Sequence, residues 1–136
     1  MAEQIQLEIV TPDRAVYSGA VEEVVLPSQD GYMGILPGHA PLLAQLDIGE
    51  VSYRVGQERQ YLAVSGGFAE VLRGSVSILA RTAELASEID LERAKQAEER
   101  AMAKLDSDSS GEEFRLAEIR LKRAISRRQV RGRVPG

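Results

Sequence analysis

The chain has 136 residues, with 17 Lys and Arg, 21 Asp and Glu, one His and no Cys. The lack of Cys excludes disulfides and thiolate chemistry and favours an intracellular location, and a single His excludes a multi-histidine metal site. The length predicts one compact domain or a small domain with an appendage, and no apolar run reaches the roughly 20 residues of a membrane span or forms a signal-peptide core.

Residues 1–87 are predicted to form a β-sandwich. Ile5, Leu7 and Ile9 alternate with polar residues, which is the pattern of a half-buried strand. Gly and Pro turn signals separate the further apolar runs, which are Ala20–Leu26, Tyr32–Leu36, Leu42–Leu46, Val51–Val55, Tyr61–Ser65, Phe68–Leu72 and Val76–Ala80. Many short strands without an intervening helical segment predict an antiparallel sandwich or a flattened barrel.

Residues 88–136 are predicted to form a two-helix antiparallel hairpin. The segment Ile89–Leu105 contains neither Gly nor Pro, is rich in strong helix formers, and has Ser87 or Asp90 as its candidate N-cap. Turn residues follow at Asp106–Gly111, and a second helix is predicted over Glu112–Val130. So short a connection favours an antiparallel arrangement of the two helices.

The predicted apolar stripe of the hairpin is thin. Five of its eleven residues are alanines, and it comprises Leu91, Ala94, Ala97, Ala101, Met102 and Leu105 on the first helix, and Phe114, Ala117, Leu121, Ala124 and Ile125 on the second. Alanine buries little area, and a single helix of this length is marginally stable in water. We therefore expect weak packing and a hairpin that is able to open.

Four arginines have helical spacing that favours convergence. Arg93 and Arg100 share a face of the first helix, and Arg123 and Arg127 share a face of the second. The guanidinium group is permanently charged and matches phosphate oxygens geometrically, so folding of the hairpin would create a polyanion site. The alternative is that these residues belong to ordinary solvated helix faces.

The end of the chain is strongly basic. From Arg115 onward there are eight basic residues and one acid, Glu118, whereas residues 1–87 have a net charge of −6. The tail is either a solvated helix end, where cations favour the dipole, or a docking segment for an acidic surface. A nucleic-acid-binding module is the rival interpretation, but the acidic first half and the 4% aromatic content disfavour it.

The glycine-rich motifs do not predict catalysis. Val64–Phe68 lacks the lysine of a phosphate loop and has no helix after it, so a turn or bulge between strands is favoured. His39 lies among turn residues in Gly34–Leu42, with no base or nucleophile near it in sequence. We therefore predict that the chain is not an enzyme.

Three motifs carry a resemblance to a known family. GILPGHAPL at Gly34–Leu42, VSGGF at Val64–Phe68 and IDLERA at Ile89–Ala94, in a sandwich of some ten strands followed by a helical hairpin, resemble the epsilon subunit of bacterial F-type ATP synthase. The resemblance covers essentially the whole chain. It implies a non-catalytic central-stalk subunit that binds gamma and the c-ring at the cytoplasmic face of the bacterial plasma membrane.

The resemblance also implies a regulatory role. A hairpin folded on the sandwich permits turnover, whereas a hairpin extended along gamma into the alpha-beta hexamer blocks ATP hydrolysis, with its basic end near acidic segments of beta. The implied c-ring and gamma contacts are Tyr32 and His39, in the loop from Asp30 to His39, although the family often has an acid at the position of Tyr32. A purely structural stalk subunit is the remaining alternative.

Some members of the family bind ATP through an Ile/Leu-Asp-x-x-Arg-Ala motif, which is complete in this chain. The implied ATP-binding residues are Glu84, Ile89, Asp90, Arg93, Ala94, Arg100, Arg123 and Arg127. The arginines would approach the phosphates and the others the base or ribose, while Asp90 would alternatively orient Arg93. ATP would be a regulatory ligand, and the sequence does not specify whether Mg²⁺ accompanies it.

Overall fold

The computed structural model describes residues 3–107 and 110–135. They form two compact units, which divide between Leu85 and Ala86. Over the described ranges the first unit contains eight strands, and the second contains a short 3-10 turn and two α-helices. The predicted fold class, a β-sandwich followed by a two-helix hairpin, is confirmed.

The strands form one mainly antiparallel sheet that closes around its own core. They are β1 Ile5–Val10, β2 Ala15–Val21, β3 Glu23–Ser28, β4 Gly31–Ile35, β5 Leu42–Gln45, β6 Ile48–Val55, β7 Glu58–Leu72 and β8 Ser75–Leu85. The order of the path is β2-β1-β8-β7-β6-β3-β4, with β5 paired to β7 beside it. Among the described strands, β1 and β8 form the single parallel pair.

Strand β7 replaces two of the predicted strands. Tyr61–Ser65 and Phe68–Leu72 are continuous because β8 pairs along nearly all of β7, while β7 changes its other partner from β6 to β5 at Gly66 and Gly67. A Cβ on Gly67, whose φ is +110°, would lie 2.1 Å from the Leu79 carbonyl oxygen, so glycine is required there. The expectation of some ten strands is therefore wrong for the described residues.

The core comes from the inward positions of the alternating strands. Ile5, Leu7 and Ile9 are fully buried as their alternation predicts. The Tyr17 and Tyr53 rings stack with centroids 4.3 Å apart, and Tyr53 is 4% exposed. Burial, and secondarily the neighbouring Tyr17 phenol, raises the pKa of Tyr53 from 10.0 to about 12.

The second unit contains α1 Leu91–Asp106 and α2 Glu112–Arg131, preceded by a 3-10 turn at Ala86–Glu88. Helix α1 begins two residues later than predicted because Asp90 is its N-cap, and Ser87 lies in the 3-10 turn. The predicted connection Asp106–Gly111 is described in part, since residues 108 and 109 lie outside the described ranges. The 3-10 turn packs against α2.

Candidate functional site

Four buried alanines, here called the alanine seam, join the two helices. They are Ala94 and Ala101 on α1, and Ala117 and Ala124 on α2. Each pair is seven residues apart, so it lies on one side of its helix. Met102 and Phe114 were expected on this stripe, but they are exposed. Met102 lies about 100° around α1 from Ala101, and Phe114 lies in the first turn of α2. The seam therefore buries little more than methyl groups, in agreement with the thin stripe of the prediction.

Asp90 is the N-cap of α1, as one of the two predicted alternatives had it. Its backbone is extended, and its Oδ1 accepts a hydrogen bond of 3.1 Å from the backbone N–H of Arg93. This bond satisfies one of the unpaired N–H groups of the first helical turn. Ile89 before it and Ala94 after it are both buried. The motif thus fixes the start of α1 and the direction in which Arg93 leaves the helix.

One ion pair shows which residues of the two helices lie level with each other. Arg128 Nε lies 2.7 Å from Glu98 Oε2, and Arg128 Nη2 donates to Glu98 Oε1 at 3.2 Å. The short connection and this contact near the far end of α2 make the helices antiparallel. Each residue that follows Glu98 in α1 therefore lies level with a residue that precedes Arg128 by the same number of positions in α2.

This alignment determines where the predicted phosphate ligands lie along the common axis of the two helices. Arg100 is two residues beyond Glu98, so it is level with about residue 126 of α2, between Arg123 and Arg127. At a rise of about 1.5 Å per residue, those two arginines lie within about 5 Å of Arg100 along the helix axes. Arg93 lies about 10 Å from Arg100 along α1, toward the helix N-terminus.

The burial pattern also places the four arginines on one side of the hairpin. Arg93, Arg100 and Arg123 each precede a seam alanine by one residue, which is a rotation of about 100° from the seam. In antiparallel helices, rotations of the same sense lead to the same side of the pair. Arg127 follows Ala124 by three residues, which is about 60° toward that side. We call Arg93, Arg100, Arg123 and Arg127 the arginine face.

The remaining predicted ATP ligand is in the other unit. Glu84 lies in β8 opposite Ala63 of β7 and is half-buried. The seven other predicted ligands, from Ile89 to Arg127, all belong to the hairpin unit. The alignment places the arginines of α1 and α2 on one side of the hairpin, with Arg93 about 10 Å from Arg100 along the axis of α1. The binding roles of these arginines and of Glu84 stay predictions.

Tyr32 and His39 lie in and after β4, in the sandwich. Tyr32 is 61% exposed, and its phenol oxygen accepts a hydrogen bond of 3.0 Å from the Glu50 backbone N–H. His39 Nδ1 lies 2.7 Å from the Ala40 carbonyl oxygen, which can only accept, so Nδ1 carries the proton. These hydrogen bonds fix the orientations of both side chains at the surface.

The sequence analysis missed an apolar surface on the sandwich, here called the outer apolar face. It consists of Leu43, Phe68, Leu72 and Leu79, all of which are exposed. Phe68 and Leu79 are direct cross-strand partners, and Leu43 is diagonal to Phe68 and Leu72. A groove of about 400 Å³ runs beside it and is lined partly by Val10 and Pro12. The sequence could have indicated this surface, because these strands have apolar residues at outward as well as inward positions.

Across residues 3–107 and 110–135, no group of three or more His, Cys, Asp or Glu side chains is arranged to hold a metal ion. In the same part of the chain, no helix combines the length and the apolarity that a membrane crossing requires.

The two units of the fold correspond to two known domains of one protein family. The family profile described as the ATP synthase delta/epsilon chain β-sandwich domain matches residues 4–86, and that of the long α-helix domain matches residues 87–132. The chain belongs to the ATP synthase delta/epsilon chain family, as the resemblance predicted, and it is a non-catalytic chain of that class.

Curated relatives specify the family more narrowly. The ATP synthase epsilon chain of Syntrophobacter fumaroxidans is 49% identical over 130 residues, covering 96% of this chain and 97% of that one. The epsilon chain of Halalkalibacterium halodurans is 45% identical over 130 residues, with coverages of 95% and 98%. A chain of the Euglena gracilis mitochondrial ATP synthase structure, which contains OSCP, F1 and the c-ring, matches with TM-score 0.79 and 31% identity over 88% of this chain and 76% of that one.

Proposed function

We propose that this chain is the epsilon subunit of the central stalk of a bacterial F-type ATP synthase, and that its hairpin senses ATP and inhibits ATP hydrolysis when it opens. The single observation that carries the ATP-sensing proposal is the arginine face, to which both helices contribute. In this proposal the closed hairpin binds ATP without hydrolysing it. The enzyme would be peripheral at the cytoplasmic face of the plasma membrane.

The chemistry of the arginine face fits a triphosphate. Four guanidinium groups on one side of a hairpin repel one another, and their charge persists at every physiological pH. A triphosphate between them replaces repulsion with charge-assisted hydrogen bonds from both helices. Asp90 would lie toward the base or ribose and would act chiefly by capping α1, while the buried Ile89 and Ala94 would support the start of that helix.

The free energies of helix packing and of ATP binding are also consistent with a hairpin whose closure depends on ligand. A buried methyl group contributes about 0.8 kcal/mol, so the four seam alanines contribute about 3 kcal/mol. ATP at one hundred times its Kd would add about 2.7 kcal/mol to the closed state. Because the two terms are similar, a fall in ATP concentration would shift the hairpin toward opening. Its basic end would then meet acidic segments of the beta subunits in the alpha-beta hexamer.

Isothermal titration of the full chain with ATP tests the binding site. We expect Arg93→Ala and Arg127→Ala each to weaken binding tenfold or more, because each removes a phosphate donor from one helix. Arg115→Ala is the matched control, since Arg115 precedes Ala117 by two residues and lies on the far side of α2. Titrations with and without Mg²⁺ decide whether the metal accompanies the nucleotide. Equal heats for all four proteins would contradict the ATP site.

Truncation after Ser87 tests the inhibitory role. The hairpin unit begins close to this point, so the truncated chain keeps the whole sandwich. We expect assembled synthase with the truncated subunit to hydrolyse ATP faster than the intact enzyme at low ATP concentration. Identical rates at every ATP concentration would leave a purely structural stalk subunit as the better description.

The sandwich is proposed to connect the rotor. Its outer apolar face would bind gamma, because an exposed apolar cluster beside a groove is typical of a protein interface. Tyr32 and His39 would contact the polar loops of the c-ring through side chains already held by hydrogen bonds. Pre-oriented side chains lose little further freedom on binding, which favours a stable contact.

A further inference from the structure

The ion pair between Glu98 and Arg128 stands out because it interrupts the alanine seam. Glu98 follows Ala94 by four residues and precedes Ala101 by three, and Arg128 follows Ala124 by four. The Glu98 side chain is 18% exposed and that of Arg128 44%, and two hydrogen bonds of 2.7 and 3.2 Å join them. Two parallel bonds to a carboxylate fix both the distance and the orientation of the guanidinium group.

The seam by itself specifies the alignment of the helices weakly. Its methyl groups are small and identical, so their shape resists sliding weakly, and their seven-residue repeat brings alanine opposite alanine again after a slide of two turns. A polar pair within such an interface selects one alignment, because other alignments leave it unpaired. A slip of one turn moves Glu98 by about 5.4 Å relative to Arg128 and breaks both bonds.

Of the positions one turn away on α2, one offers Glu98 no partner and the other offers an arginine that already donates elsewhere. A slip in one direction would bring Glu98 level with Ala124, which cannot pair with a carboxylate. A slip in the other direction would bring it level with Arg131, whose Nη1 donates to the Val134 carbonyl at 3.2 Å. The observed alignment is therefore the one that gives Glu98 a two-bond partner.

The ion pair does not belong to the arginine face. Glu98 and Arg128 each follow a seam alanine by four residues, a rotation of about 40° in the sense opposite to that of the arginines. They therefore lie toward the other side of the hairpin from a ligand on that face. Their influence on such a ligand would be indirect, through the alignment that makes Arg100 level with Arg123 and Arg127.

We propose that Glu98 and Arg128 are positioning residues that set the helix alignment required for ATP binding, although neither contacts ATP. The part of this inference that concerns ATP rests on the proposed function, whereas the part that concerns helix alignment does not.

Because the chain contains no Cys, two cysteines introduced at the exposed positions Gln96 and Glu113 can carry spin labels in the full chain. Their axial separation of about 25 Å changes by about 5 Å for each turn of slip.

We expect the labelled parent protein to give one narrow distance distribution without ATP. Glu98→Gln should broaden the distribution or shift it by about 5 Å, and it should weaken ATP binding at least fivefold by titration calorimetry. The exchange of Glu98→Arg with Arg128→Glu should restore the narrow distribution and bring the affinity within threefold of the parent. Glu99→Gln is the matched control, because it makes the same charge change at an exposed position of α1 outside the seam.

The two measurements separate the possible failures. An unchanged distance distribution in Glu98→Gln overturns the inference whether or not ATP binds. Weaker ATP binding with unchanged distances also overturns it, because the charge and not the alignment would then matter. A parent protein that fails to bind ATP refutes the proposed ATP sensing, and the label distances still decide the alignment.

Discussion

The stability of the sandwich should fall between pH 10 and pH 12 because of Tyr53. Its pKa is raised from 10.0 to about 12 by burial and, to a lesser degree, by the stacked Tyr17. Below pH 10 both the folded and the unfolded chain hold this proton, so the contribution to stability is complete. Above pH 10 the unfolded chain releases it and the folded chain does not, so unfolding becomes more favourable as pH rises.

The magnitude follows from the pKa difference. A pKa difference of two units corresponds to about 2.7 kcal/mol in total, and about 2 kcal/mol of this loss falls between pH 10 and pH 12, because the phenol is half ionised at its pKa in each state. Other groups also titrate in this range, and the comparison with Tyr53→Phe removes their effect. The difference between the two proteins should therefore change by about 2 kcal/mol across this interval, to the disadvantage of the parent.

Urea unfolding followed by circular dichroism, at half-unit steps from pH 8 to pH 12, measures both stability curves. Tyr53→Phe differs from the parent by one hydroxyl group, so the difference between the two curves isolates the ionisation of Tyr53. Parallel curves for the parent and Tyr53→Phe across the whole range would refute the reasoning, because burial of the phenol would then have no energetic consequence.

Three further predictions concern other parts of the chain. Asp90→Ala should destabilise α1 by about 1 kcal/mol through loss of the N-cap, whereas Asp90→Asn, which can still accept the hydrogen bond, should change helicity little by circular dichroism. Gly67→Ala should cost about 3 kcal/mol or more in urea unfolding, since it combines a positive φ with backbone overlap, whereas Gly34→Ala, with open space at Cβ, should cost under about 1 kcal/mol. Phe68→Ser should leave the melting temperature within a few degrees of the parent but reduce co-purification with gamma, and full retention of gamma would count against the outer apolar face as its binding surface.

The strand count shows where local sequence patterns fail. Alternation identifies Ile5–Ile9 correctly because one side of β1 is buried and the other is not. The glycines after Ser65 suggest a turn, yet β7 continues through them because β8 pairs on both sides of the break. The run Ala20–Leu26 is divided at Glu22 between two strands for a similar reason, since β2 pairs with β1 and β3 with β4 and β6. Long-range pairing decided each case.

For the candidate site, helical periodicity predicted the shared faces of the arginine pairs but not their relative levels. Those levels depend on which Glu meets which Arg across the hairpin, and the helices offer many such combinations. Glu98 and Arg128 are unremarkable in the sequence, and only the folded hairpin distinguishes them from Glu99 and its neighbours. The exposure of Met102 and Phe114 likewise depends on which residues of each helix pack against the other helix.

The parallel pairing of β1 with β8 has a consequence for how the chain folds. Gln6 pairs with Ser75, so the first strand has no partner on that side until the last strand of the sandwich has been synthesised. The helical hairpin, by contrast, makes contacts between residues close together in the chain and should form within microseconds to milliseconds once translated. During translation the ribosome therefore releases an incomplete sheet first, and one edge of Ile5–Val10 stays without its strand partner until Ser75–Leu85 emerges.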